Sequence, residues 1–497
     1  MNRFLLPIVI FLTIAAIFHF VSSNFADLDS FYYMGLANLF KERGLLNVDF
    51  PWIYHSVIRE LGVSLWYGFG IFLIPFSYIG GGILGLKIIG VLLTAAALFA
   101  FYWAVKRFQF RMPWLWPFLL FFAAANVTSQ FLMIRPQTIS LILTPLLFYF
   151  LVLGNFWGMA IASFGIAWFH MNLVWVPLVI LGAVVLVRLI IEKRFEYKSV
   201  IGVAAGSLAG WLLRPNPFGA LKLFYIQVVQ QILEKQSGLP LLFGKENFPL
   251  STTILFKNFS IFMILWIAAI VLVSWKAVSQ KVIVWSSLIL SAAFFALTIA
   301  VTRRAYNFWA IFGVLLIGAA ASYLQERKIR EIFLPAAVIA AAILVFYSGY
   351  KTSAALQGSG YPQNYMREAG LWLKDNSEQG DIVFNIHWPH FSPLFFWNQK
   401  NYYTGGLDPI FLYALDPSLY WKFHYLSGGV LTDKTCGAVE CKQKILEDTH
   451  NVLKRDYGAR YIVLNKDKNS AFYGFLDSDS RFEKKMETGN EAVYLIK

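Results

Sequence analysis

The sequence predicts an α-helical polytopic membrane protein of about eleven transmembrane helices, followed by a C-terminal extracytoplasmic α/β domain. Three observations carry this expectation. The chain is 58% hydrophobic and only 14% charged, which no soluble core of ordinary size requires, so the excess apolar surface must face lipid. The apolar residues are gathered into recurrent long runs before residue 350. Residues 351–497 hold 17 basic and 17 acidic side chains, so the whole net charge of +14 lies in the preceding, membrane half.

The first apolar run, Phe4 to Val21, follows Met1-Asn2-Arg3. It lacks a small-x-small cleavage site and is long enough to span, so it reads as an uncleaved first helix starting in the cytoplasm. Further runs lie at 83–105, 115–134, 137–153, 156–172, 173–191, 199–213, 258–275, 282–301, 305–324 and 332–348. Leu61 to Tyr78 is also apolar, but Gly68, Gly70, Pro75 and Gly80-Gly81-Gly82 interrupt or follow it. It reads as a helix lying at or dipping into the interface.

Charge fixes the parity. With eleven spans, Lys106/Arg107/Arg111, Lys193/Arg194/Lys198, Lys276/Lys281 and Arg327/Lys328/Arg330 all share the side of the N-terminus. The positive-inside rule makes that side cytoplasmic and leaves the tail outside, in a plasma (inner) membrane protein. The same placement explains the basic residues without nucleic acid, which is excluded as a partner. Residues 1–350 then form the membrane domain, with outer loops 23–82 and 214–257, and residues 351–497 the soluble domain.

In that tail the pattern becomes a soluble alternation: a helix from Asn364 to Asn376, a buried strand from Asp381 to Asn385, a helix near Cys441 to Tyr457, and strands at Arg460 to Leu464 and Ala492 to Ile496. Cys436 and Cys441 are the only cysteines. One short disulfide and two free thiols both fit them.

The outer side holds the candidate chemistry. Directly after the first helix stands Phe25-Ala26-Asp27-Leu28-Asp29-Ser30-Phe31-Tyr32-Tyr33. Asp27 and Asp29 can hold a divalent cation, Mg or Mn, that bridges phosphate oxygens, or one can act as general base while the other orients it. The structural alternative is a cap on a helix starting near Ser30. Arg135, Arg214, Arg303 and Arg304 depart from the charge rule, each at the outer end of a helix. A guanidinium forks onto phosphate oxygens and stays charged beside lipid, although such an arginine can also be a snorkelling anchor. His170 ends another span and reads first as a residue packed between helices.

The order of first helix, D-x-D-S-F-Y-Y, long outer loop, many spans and soluble tail resembles the GT-C glycosyltransferases, the superfamily of oligosaccharyltransferase catalytic subunits, protein O-mannosyltransferases and aminoarabinose transferases. The resemblance implies transfer of a sugar from a polyprenyl phosphate or diphosphate carrier to a glycan, lipid or protein acceptor. It assigns the catalytic role to Asp27 and Asp29, with Tyr32 and Tyr33 in the aromatic positions that follow. Tyr33 stands where some relatives have His. The breaks at Ile134-Arg135-Pro136, Trp168-Phe169-His170, Leu213-Arg214-Pro215 and Thr302-Arg303-Arg304 resemble those of multi-span bacterial members.

In the tail, Ile386-His387-Trp388-Pro389-His390 stands where oligosaccharyltransferase subunits carry W-W-D-Y-G. The missing Asp argues against sequon-directed protein N-glycosylation. His387, Trp388 and His390 are candidates for an acceptor or sugar pocket. A transporter or flippase of lipid-linked sugars and a non-catalytic envelope-assembly partner are the alternatives, and the discriminating feature is whether the acids and arginines meet in one outward pocket.

Overall fold

The computed structural model describes residues 5–237, 244–275, 278–279, 281–427 and 449–497. Cys436, Cys441 and the start of the helix expected near them lie outside the described residues.

Helices cover every apolar run. Seven are long and apolar enough to cross a membrane by length and composition: Gly80–Arg107, Pro136–Leu153, Met171–Ile191, Thr252–Ser274, Val282–Ala300, Arg303–Tyr323 and Arg327–Ser359. Leu5–Phe20, Phe156–Phe169 and Tyr197–Leu212 are shorter. The run at 115–134 is a broken element: Leu115–Phe121 and Ala125–Leu132 are bent by 91°. Side chains satisfy the backbone near the bend, which is what lets a helix break inside an apolar interior. Thr128 donates to Phe121 O at 2.7 Å, Tyr306 to Asn126 O at 3.2 Å and Thr352 to Ala125 O at 3.4 Å. Tyr67–Ser77, 11 residues long, extends only about 16 Å at 1.5 Å per residue. It packs beside Asp29–Arg43 and is too short to span.

The last helix, Arg327–Ser359, runs on past Tyr350 without a break and stops at Gly360, just before Pro362. The chain then enters the tail through a two-way backbone pairing of Phe25 with Tyr361, at 2.7 and 2.9 Å. Lys87 fixes the approach to that pairing. Its ammonium donates to the carbonyls of His19, Ser22 and Asn24 at 2.9, 3.1 and 2.6 Å, closing off the free end of the first helix.

The tail sheet contains β1 (Ile382–Asn385), β2 (Tyr402–Tyr403), β3 (Ala459–Asn465), β4 (Phe482–Thr488) and β5 (Glu491–Ile496), in the order β2-β1-β3-β5-β4. β1 pairs in parallel with β2 and β3, while β5 is antiparallel to β3 and β4. β4 escapes sequence reading because Phe-Glu-Lys-Lys-Met-Glu-Thr is charged; it is an edge strand, where charge guards against further pairing.

The loop 23–82 and the tail share one hydrophobic core, in which Tyr32 and Phe50 meet Phe391 and Phe395 while Phe31 meets Phe396. Polar ties reinforce it. Ile53 extends the β2 edge in parallel with Tyr403, Trp52 Nε1 donates to Gln399 O at 2.8 Å, and Gln399 Nε2 donates to Gly35 O at 3.0 Å. The loop bearing the aspartates is thus held between the helices and the tail.

Candidate active site

A cavity of about 960 Å³ opens where the helices, the loops 23–82 and 214–257 and the tail meet. Asp27 and Asp29 reach it at the start of the helix Asp29–Arg43. Neither acts as the side-chain cap considered above: Leu28 is the capping position, and Asp27 instead accepts from Ser30 Oγ at 2.5 Å. Opposite them stands Arg135. Proline at 136 disfavours helical geometry in the residue before it, so Arg135 is extended and its helix begins at Pro136.

Arg135 holds the site together. Its Nε is ion-paired with Asp27, its Nη2 lies 3.1 Å from Asp29 Oδ2 and its Nη1 3.6 Å from Glu246 Oε1. Glu246 also pairs with Arg304 at 2.9 Å. Thr302 ties the two backbones, donating to Glu246 O at 2.8 Å and accepting from Arg304 N at 3.3 Å. Three carboxylates and two guanidinium groups thus form one chain of charge.

Burial pushes the Asp29 carboxyl up to about 6, against the pull of Arg135 and with the help of Asp27. Burial acts upward on Glu246 too, but Arg304 and Arg135 outweigh it and hold this carboxyl down at about 2. The Asp29 side chain is 28% exposed and that of Asp27 only 5%. Asp29 is therefore the one open to a ligand, and Asp27 the one that orients the guanidinium. Asp27 and Asp29 are the residues that would hold a divalent cation, yet both turn onto Arg135. Among the described residues no three or more His, Cys, Asp or Glu side chains are placed to share an ion. As arranged, the donor set does not fit a metal.

No protein-family model matches the chain, and no curated protein matches it in sequence. Its structure is similar to ArnT from Cupriavidus metallidurans, in the apo state with a TM-score of 0.57 and bound to undecaprenyl phosphate with 0.58. In both cases identity is 12%, and the alignment covers 98% of this chain and 97% of that one. Arabinofuranosyltransferase AftD from Mycobacteria aligns with a TM-score of 0.55 and 12% identity over 98% of this chain and 41% of its own. The chain shares its fold with ArnT and AftD.

Within this shared fold, Asp27, Asp29, Tyr33, Arg135, His170, Arg304, His387 and Trp388 all line the cavity. Four other candidates do not. Arg214 is buried and turns away to cap backbone carbonyls, chiefly Ala167 O at 2.5 Å, with Ser64, Leu65, Trp168 and Gly210 at 3.4 to 3.5 Å. Helix ends left without partners need such donors, and this use displaces phosphate binding. Arg303 points outward to the carbonyls of Phe248 and Pro249. Tyr32 is enclosed by Phe50, Trp66, Phe391 and Phe395. His390 is fully buried behind His387 and bonds Tyr365 Oη at 3.0 Å.

Glu246, Lys235 and Asp408 are charged residues of the cavity that sequence reasoning missed. Lys235 donates to Asn247 O and Val301 O at 2.6 and 2.8 Å. A signal for it exists: Gln227, Gln231 and Lys235 repeat every fourth residue and face one side of the second outer loop's helix. Glu246 stands in the single 3-10 turn Lys245–Asn247, too short for a periodicity to mark it.

Proposed function

We propose that the chain is an integral membrane glycosyltransferase that moves a sugar from a polyprenyl phosphate or diphosphate carrier to an extracytoplasmic acceptor. The observation that carries the reading is the convergence of Asp29, Asp27, Arg135, Glu246 and Arg304 on one cavity whose other walls include Leu173, Leu297, Val301 and Phe308 from apolar helices. Acid, guanidinium and hydrocarbon-facing surface together suit a phosphorylated prenyl headgroup. The neighbour ArnT, bound to undecaprenyl phosphate, supports the carrier class.

In this mechanism an acceptor hydroxyl or amine attacks the anomeric carbon. Asp29 accepts the proton that the nucleophile gives up, and the bond from the anomeric carbon to the phosphate oxygen breaks. The electron pair leaves with the phosphate. Arg304 grips the carrier phosphate both before and during its departure, while Asp27 and Glu246 orient Arg135. A leaving phosphate needs no proton, so no second carboxylic acid is required.

Topology supports the outward placement of this chemistry. Phe108, Lys281 and Tyr323 meet at one end of the bundle, where Tyr323 is hydrogen-bonded to Phe108 O and Lys281 lies 3.8 Å from the Tyr323 ring. The basic clusters at 106–111, 281 and 327–330 gather around that end. The aspartates and the tail occupy the other. On the eleven crossings expected from the sequence, this reading has the N-terminus in the cytoplasm and residues 351–497 outside. Convergence at one end, with Arg214 and Arg303 engaged elsewhere, favours an enzyme over a path through the bilayer.

The test is incubation of the purified protein with labelled polyprenyl-phosphate sugars and cell-envelope fractions. Label should pass to an envelope acceptor with the native protein and not with Asp29→Asn. Movement of intact carrier across proteoliposomes without transfer would replace this reading by the flippase.

A further inference from the structure

Away from the ionic cluster, the same cavity carries a row of neutral and singly charged hydrogen-bonding side chains that the transfer chemistry does not use. Asn172 Nδ2 donates to Gln227 Oε1 at 2.7 Å, and Gln231 Nε2 donates to Asp408 Oδ2 at 3.0 Å. All four residues line the cavity and are more than nine-tenths buried. Gln227 sits in a π-helical segment, Tyr225–Gln230, that runs into the helix Gln231–Gln236. Such segments are rare and cluster at functional sites.

Two features of the row point to a missing partner. Asn172 Oδ1 is buried without any hydrogen bond, which costs free energy unless a ligand supplies a donor. Asp408 is a buried carboxyl whose hydrogen-bond donors among the described residues are both neutral, the Gln231 amide and the backbone N–H of Ile410 at 3.2 Å, with Arg304 acting on it only at longer range. Its remaining lone pairs, like Asn172 Oδ1, accept hydrogen bonds. A ligand group rich in O–H donors satisfies both. A prenyl chain brings none, and a phosphate would be repelled by the carboxylate.

We infer that Asn172, Gln227, Gln231 and Asp408 form a subsite for adjacent hydroxyls of a sugar, and this rests on the glycosyltransferase reading above. The sugar is either the one carried by the prenyl phosphate or the one at the end of the acceptor. A site built to pair hydroxyls rejects a ligand that lacks them, because its own buried groups are then left unpaired.

The test uses full-length protein in a sugar-free detergent such as lauryldimethylamine oxide, with binding followed by tryptophan fluorescence. The probes are farnesyl phosphate, farnesyl phosphates bearing mannose, glucose or arabinose, and octyl β-D-glucoside below its micellar range. The wild type is expected to bind at least one sugar-bearing farnesyl phosphate about tenfold more tightly than the bare lipid. Gln231→Leu and Asp408→Asn, each folded by circular dichroism, should remove that advantage and leave the bare lipid unaffected, which assigns the hydroxyls to the donor. Weaker octyl glucoside binding with the lipid advantage intact assigns them to the acceptor. If neither variant changes the binding of any sugar-bearing probe, or both weaken bare farnesyl phosphate equally, the subsite is overturned. If bare and sugar-bearing farnesyl phosphates both fail to bind the wild type, the carrier reading falls, while the octyl glucoside arm still decides the subsite.

Discussion

Arg135 meets Asp27 across 108 positions of sequence, with its Nε against the Asp27 carboxylate while Nη2 of the same guanidinium faces Asp29. Because Asp27 is almost fully enclosed and Asp29 is not, the two acids should respond differently to the same substitution. Asp29→Asn is expected to lower the rate of transfer by about a hundredfold or more, the usual scale for a lost general base, with a melting temperature near that of the wild type. Asp27→Asn should lower both, since it removes one half of a buried pair. Thermal unfolding measured beside the transfer rate separates the two, and equal losses of stability in both variants would contradict the division of roles.

Glu246 joins the two arginines, so Glu246→Gln frees Arg304 from its carboxylate while keeping the shape. Arg304→Ala should raise KM for a prenyl-phosphate sugar about tenfold, the size of a lost charge-assisted hydrogen bond. Glu246→Gln should leave KM nearer the wild type but lower kcat, because Arg135 loses its third carboxylate. Steady-state kinetics on both variants checks the split.

Arg214 predicts the opposite behaviour. Its guanidinium serves backbone carbonyls rather than the cavity, so Arg214→Met should destabilise the protein by roughly 2 kcal/mol, the scale for hydrogen bonds to a charged group. KM for the carrier should stay unchanged. A raised KM in a protein of undiminished melting temperature would return this residue to the substrate.

The acid limb of activity follows from Asp29. Its carboxyl is raised to about 6 by burial, and the base must be ionised to accept a proton. kcat/KM should therefore rise with pH up to about 6 and level off above it, falling about tenfold per unit on the acidic side. Asp408 is also raised by burial to about 6, so the profile is to be repeated with Asp408→Asn. The limb should persist there. The stabilising contribution of Glu246, held down near 2, is present above its ordinary range and is lost only as pH falls through the folded value.

Arg135 takes the position between the aspartates that a divalent ion would need. Transfer is expected to continue in the presence of a chelator at millimolar concentration and to gain nothing from added Mg or Mn. A chelator-sensitive rate restored by either ion would show that the guanidinium gives way to metal during turnover.

Much of this molecule is legible in its residues alone. Lipid-facing helices have apolar side chains all round, and water-facing segments do not, so the helices, the short Tyr67–Ser77 among them, and strands such as Ala459–Asn465 follow from local composition and period. The aspartates and Arg135 are visible for the same reason: a charge beside a bilayer is costly and stands out. Tertiary structure alone decides that Arg135 reaches both aspartates while Arg214 caps carbonyls. It also brings in Glu246 and Asp408, from a single 3-10 turn and from the tail. The bend at 122–124 belongs with these, since the carbonyls just past it, of Ala125 and Asn126, find partners on helices distant in sequence. Hydropathy and period are properties of neighbours along the chain, whereas an ion pair or a hydrogen bond is set by which segments the fold brings within about 3 Å.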